Sequence, residues 1–244
     1  MRTFVLALAA TAAIISGCRD NTGVRGYWSS RDLNLDNYDA AEEEFADFVE
    51  LAYSAPEKDA FAAVDKLLKK ARKDEVTYLV YADLILRGFS SIGSPCRSCP
   101  IFIHAADNIL SHGIPSGDMT IRYQKRRELC LHNGVGDVAQ IPQLADSVQL
   151  EFGGRRTLIL IVDQDCSSCR QSMDRFSTEK WNGTALVALC YGHGPLPERP
   201  GWECYRLSHK QTLVDTREAP LFYVISPDGK IEISYTSVYH EDRI

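Results

Sequence analysis

Cys166-Ser167-Ser168-Cys169 has the spacing that thiol–disulfide chemistry uses. It follows directly on the apolar run Thr157-Leu158-Ile159-Leu160-Ile161-Val162, which reads as a strand buried on both faces. A helical stretch comes after it, with Met173 and Phe176 on one face. Strand, Cys-x-x-Cys, helix sets the first thiol at a helix N-terminus, where unpaired N–H groups and the macrodipole favour a thiolate. The second thiol then lies one turn on, close enough to close a disulfide or to resolve a mixed one. A Cys-x-x-Cys by itself is equally half a metal site, and the buried strand in front of it moves the reading towards redox.

The chain carries further cysteines that invite pairing. Cys96-Arg97-Ser98-Cys99 precedes another helical stretch and reads either as a short-range disulfide stiffening a loop or as a second redox pair. Cys190, His193, Cys204 and His209 have spacings that zinc sites also use. The Pro- and Gly-rich stretch between them, with Pro195, Pro197, Pro200 and Gly201, fits better a loop closed by a Cys190–Cys204 disulfide. Cys130 falls inside a helical pattern and is expected as a buried thiol. No metal and no cofactor is expected.

Eight cysteines in 244 residues suit an exported chain that uses disulfides. Arg2 followed by the apolar stretch Phe4–Ile15 reads as a signal peptide, because the stretch is short of the ~20 residues a membrane span needs. Ile15-Ser16-Gly17-Cys18 resembles the bacterial lipobox. That resemblance implies cleavage after residue 17, acylation of Cys18 and stable anchoring in a membrane. Arg19, rather than Asp, after the cysteine favours by the same resemblance the outer membrane facing the periplasm. The net charge of −6 and the lack of a long basic run argue against nucleic acid as a partner.

The thiol motif needs elements to position it. Residues 18–35 read as lipid anchor and tether, interrupted by Tyr27 and Trp28, which are expected to dock on the next domain. From 36 to 133 the apolar period is helical. Tyr38 to Ala52 and Phe61 to Ala71 give two stripes, and Val76 to Leu84 a third that ends at Gly88. Ile101 to Leu110, entered through Pro100, gives a fourth, and a stretch capped by Ser116 a fifth. The basic face of the fifth, with Arg122, Lys125, Arg126 and Arg127, reads as solvated. After Gly134 the pattern turns to strands, with Ala185–Cys190 a second buried run and Leu221–Ile225 and Ile231–Tyr235 flanking the turn Pro227-Asp228-Gly229. The expected fold is therefore α+β in two domains: 36–133 all-helical, then 134–244 α/β with a mixed central sheet.

The second domain resembles the thioredoxin superfamily, on the strand–Cys166-x-x-Cys169–helix unit and on Glu218-Ala219-Pro220-Leu221-Phe222-Tyr223-Val224-Ile225-Ser226-Pro227-Asp228-Gly229-Lys230. The resemblance implies that Pro220 is cis and beside the cysteines, and that the backbone of Ala219 pairs with a bound substrate strand. Residues 36–133 resemble a helical domain of unknown function that precedes thioredoxin-like domains in envelope lipoproteins. Leu160 stands where many thioredoxins bury a proton-accepting Asp, Asp165 replaces the usual aromatic before the first cysteine, and little chain follows the hairpin for a last helix. Two functions follow as expectations. One is an envelope lipoprotein with thiol–disulfide oxidoreductase activity on protein thiols or disulfides, with Cys166 as nucleophile and Cys169 as resolving thiol. The other is a non-catalytic binding or scaffold lipoprotein that keeps the fold.

Overall fold

A computed structural model describes residues 23–33, 35, 37–114, 116–145, 148–176 and 181–238, with Ser168 and Arg170 described by backbone alone. Five α-helices come first: α1 (Tyr38–Tyr53), α2 (Glu57–Ala71), α3 (Glu75–Ile85), α4 (Cys99–His112) and α5 (Gly117–Cys130). Their starts follow from capping side chains. Asn37 Oδ1 accepts from Ala40 N at 3.2 Å, Asp74 Oδ2 from Thr77 N at 2.7 Å, and Ser98 and Ser116 hold α4 and α5 in the same way. The buried positions, such as Phe45, Phe48, Val49 and Ala52 on α1 and Val64, Leu67, Leu68 and Ala71 on α2, repeat at steps of three and four and meet in one core. Tyr27 and Trp28 dock into that core: Trp28 packs edge-on to Phe48 and Tyr81, with ring centroids 5.2 and 5.7 Å away.

Two details depart from the sequence reading. The third helix does not stop at Gly88; it widens into a π-type turn over Leu86–Ser90. Gly88 is needed there because a Cβ would meet Val49 Cγ2 at 2.9 Å and Phe45 Cε1 at 3.1 Å. The cysteines of this unit also pair differently. Cys99 is bonded to Cys130, with Cα atoms 5.2 Å apart, so the expected Cys96–Cys99 closure is not made and Cys130 is not a thiol. The cause is packing: α4 and α5 lie side by side, and the start of one meets the end of the other.

The sheet unit contains β1 (Thr157–Asp163), α6 (Ser167–Arg175), β2 (Ala185–Tyr191), β3 (Trp202–Arg206), β4 (Leu221–Ile225) and β5 (Ile231–Ser237). The strand order is β3-β2-β1-β4-β5. β1 and β3 run parallel to β2, whereas β4 is antiparallel to β1 and to β5, so the sheet is mixed as expected. β3 lies in what reads as loop: the Pro-rich segment 192–201 crosses back without a helix and starts a parallel edge strand. Both faces of the sheet are buried. Leu158, Leu160, Val162, Ala188, Phe222 and Val224 pack under Met173 of α6, its C-cap Phe176 and Trp181. Ile159, Ile161, Val187, Leu189 and Tyr223 pack under Leu144, Val214, Tyr235 and Ile92, the last contributed from the helical side.

Polar contacts tie the two units together. The buried Asn133 donates to Gln140 O and to Tyr235 Oη, both at 2.8 Å, and its own carbonyl accepts from Ser234 Oγ at 2.9 Å. Arg97 donates to Tyr235 O at 3.1 Å, and burial pulls its guanidinium down to about 10.

Candidate active site

α6 begins immediately after Cys166, which occupies the N-cap position, and Cys169 sits in the first turn. Cys166 is half-buried, whereas Cys169 is 3% exposed and packs with the apolar face under α6. The two thiols are hydrogen-bonded to each other. Burial first, then the contact with Cys166 and the charge of Asp163, push the Cys169 thiol up to about 11, while a hydrogen bond from the Asp163 backbone works the other way. The geometry thus gives one reachable sulfur at a helix start and one protonated partner behind it.

The register of the sheet brings the second element in. Ile161 is opposite Leu221, so the end of β1 that leads to Cys166 and the start of β4 lie at the same end of the sheet. The Ala219–Pro220 peptide immediately before β4 is cis, as the resemblance implies.

Asp165 does not act as a free charge beside Cys166. Its carboxylate accepts from His193 N at 3.1 Å and Gly194 N at 3.2 Å, which pins the cysteine loop to the loop after β2. That approach requires Gly192, at φ +99°, where a Cβ would meet Asp165 Oδ2 at 2.8 Å. Arg206 closes the same loop, donating to the carbonyls of Gly192 and Gly194 at 2.8 Å each and to Gln164 Oε1 at 3.2 Å.

Two groups at the site escaped the sequence reading. Asp163 and Tyr191 are direct partners across β1 and β2. The Tyr191 hydroxyl is hydrogen-bonded to the Asp163 carboxylate, and burial, Asp163 and both thiols hold its ionisation well above the ordinary range. Leu160 is fully buried and offers no carboxylate, so Asp163 is the acid group that stands near Cys169. The available signal was the polar residue closing each apolar run, Asp163 in one and Tyr191 in the other.

The helical unit reaches this end of the sheet too. Ile92 N donates to Glu218 Oε2 at 3.2 Å, and Arg126 of α5 is hydrogen-bonded to Glu218 and 3.7 Å from Asp215. These acids belong to the segment that leads into the cis peptide. The basic face of α5 is therefore engaged rather than simply solvated: Arg122 meets Asp83 at 3.3 Å and Arg127 is bonded to Asp107.

The expected Cys190–Cys204 disulfide is not made: the two lie on neighbouring strands as free thiols in contact with each other. Among the described residues no group of three or more His, Cys, Asp or Glu is arranged to hold a metal ion. Cys18 lies outside the described residues. Among those residues no helix is long and apolar enough to cross a membrane.

No family model matches the chain, and no curated protein matches it. Solved structures do. A thioredoxin-like protein from Bacteroides caccae superposes over 100% of this chain and 98% of its own, at 16% identity and a TM-score of 0.74. The thioredoxin domain of a thiol-disulfide oxidoreductase from Bacteroides vulgatus superposes over 42% of this chain and 87% of its own, at 17% identity and a TM-score of 0.30. The chain has a thioredoxin-like α+β fold preceded by a helical region, and the likeness to the Bacteroides caccae protein spans both parts.

Proposed function

We propose that the chain is a thiol–disulfide oxidoreductase in which Cys166 attacks and Cys169 resolves. The observation that carries this reading is the half-buried Cys166 at the N-cap of α6, hydrogen-bonded to a buried Cys169. The Cys166 thiolate attacks a protein disulfide, one substrate sulfur leaves, and Cys169 then attacks Cys166 to release the other. For that second step Cys169 must lose a proton, which its burial resists and the hydrogen bond from the Asp163 backbone eases. The backbone beside the cis Ala219–Pro220 peptide is where a substrate strand would pair. In the test, Cys169→Ser traps mixed disulfides through Cys166, and Cys166→Ser traps none. If Cys169→Ser captures nothing and the wild type neither reduces nor oxidises a disulfide substrate, the reading is wrong.

A binding or scaffold role without turnover is the second reading. It is favoured by the fully buried Leu160 and by the reluctance of Cys169 to ionise. It replaces the first if the trapping experiment fails.

We further infer an envelope location through an acylated Cys18, on the outer membrane facing the periplasm. Support comes from Ile15-Ser16-Gly17-Cys18 behind the apolar run Phe4–Ile15. Cys18→Ala should move the protein from the membrane to the soluble fraction; unchanged membrane fractionation would refute the anchor.

A further inference from the structure

Cys190 and Cys204 take no part in the site above, yet they repeat its logic. Cys190 is on β2 and Cys204 on the edge strand β3, where Cys204 is level with Ala188, one same-face position short of Cys190. Both belong to the sheet face that packs under α6. Cys190 is fully buried, whereas Cys204 is half-buried and lines a groove between β3 and the proline-rich strap 195–200. The two sulfurs are in contact, and the Cys190 thiol also has the Ala188 carbonyl oxygen within reach at 3.9 Å. That contact lowers the pKa of the Cys204 thiol, while the same contact and burial raise that of Cys190. The Gln164 side chain is hydrogen-bonded to Cys190 and the Arg206 charge lies close to it, and both work against that rise, which eases loss of the Cys190 proton when it resolves. One sulfur is thus reachable from solvent and stabilised as an anion, and a second waits behind it.

We propose that Cys190 and Cys204 form a second redox pair, which exchanges with a low-molecular-weight disulfide, Cys204 attacking and Cys190 resolving. The Cys204 thiolate attacks one sulfur of R–S–S–R; an S–S bond forms at Cys204, and the other RS⁻ leaves and is protonated. Cys190, giving up its proton, then attacks the Cys204 sulfur, and the second RS⁻ leaves with a proton. The substrate disulfide is reduced to RSH at both ends, and the two cysteines are oxidised to one disulfide. The sulfurs must close to ~2.05 Å for this. Among the described residues β3 pairs with β2 alone, so it has an open edge along which to shift.

This proposal does not rest on exchange at Cys166, and its test is made without that site. The full chain carrying Cys166→Ser and Cys169→Ser is incubated with oxidised glutathione, digested without reductant and read by mass spectrometry. The expected product is a linked Cys190–Cys204 peptide with glutathione released as thiol. Adding Cys190→Ala should leave glutathione stranded on Cys204, formed about tenfold more slowly because the hydrogen bond that stabilises the thiolate is gone. The proposal is overturned if native protein gives neither the linked peptide nor modified Cys204, both thiols reacting only in denaturant. Should Cys190→Ala lack the circular dichroism of a folded chain, the linked peptide in the parent decides alone.

Discussion

Cys96-Arg97-Ser98-Cys99 and Cys166-Ser167-Ser168-Cys169 share the same spacing, and the structure uses them in opposite ways. The difference lies in where the helix starts inside the motif. α6 starts after the first cysteine, so Cys166 caps it and Cys169 turns back towards Cys166 across one turn. α4 starts at the second cysteine, with Ser98 as the cap, so Cys96 is left in the loop and Cys99 turns outward to α5. Its sulfur meets Cys130 on one side and the buried guanidinium of Arg97, at 3.2 Å, on the other. A Cys-x-x-Cys is thus a tool or a staple according to its phase against the helix N-terminus.

The largest effect that sharpens this contrast is on stability. The Cys99–Cys130 bond closes a loop with a sequence separation of 31. By chain entropy, Cys99→Ser/Cys130→Ser should lower the unfolding free energy by about 3–4 kcal/mol. For a chain of this size, that corresponds to a fall in Tm of roughly 10 °C. The rate at which Cys166 exchanges should not change, because this bond joins α4 to α5 whereas Cys166 caps α6. Calorimetry and a disulfide-reduction assay on the same preparations check both halves. A variant that keeps its Tm but loses exchange would make Cys99–Cys130 part of the redox chemistry and end the contrast.

Sequence and structure agree where one local rule decides the outcome. The five helices, β1, β2 and the hairpin about Pro227-Asp228-Gly229 follow from apolar period, caps and turn residues that act within a few positions. The misses share a different cause, since each depends on what lies across the fold. β3 is short and hidden behind Pro200-Gly201, and only its pairing with β2 makes it a strand. Gly88 looks like a helix stop, but the turn continues because Phe45 and Val49 leave room for no side chain. The partner of Cys99 depends on α4 lying beside α5. At the site, the cysteine motif and the cis proline were legible as patterns. Asp163 and Tyr191 were not, because their meeting needs the parallel register of β1 and β2. The clamp of Arg126 on Glu218 needs the helical unit to reach the segment before Pro220.

The smallest effect separates the two motifs by titration. A disulfide has no proton to lose, so Cys99–Cys130 should contribute no pH dependence. Cys169 should contribute some, because its thiol rises from an ordinary 9.0 to about 11 in the fold. A thiol raised on folding holds its proton longer in the native state than in the unfolded one. Native protein therefore binds more protons between these values, and stability falls as pH rises through them. The contribution of Cys169 is fully present below about pH 9 and is lost by about pH 11. Tyr27 and Tyr81, pushed up to about 12 by burial, also lose stability in alkali, but they are common to wild type and variant. The difference between wild type and Cys169→Ala reports the thiol together with its coupling to Cys166 and Tyr191. Denaturant unfolding from pH 7 to 11 should give curves that run parallel up to pH 9 and converge or cross above it, with the wild type falling faster. Curves that stay parallel to pH 11 would mean that Cys169 is no more buried from charge than it is in the unfolded chain. The picture of a protonated resolving thiol held behind Cys166 would then have to be given up.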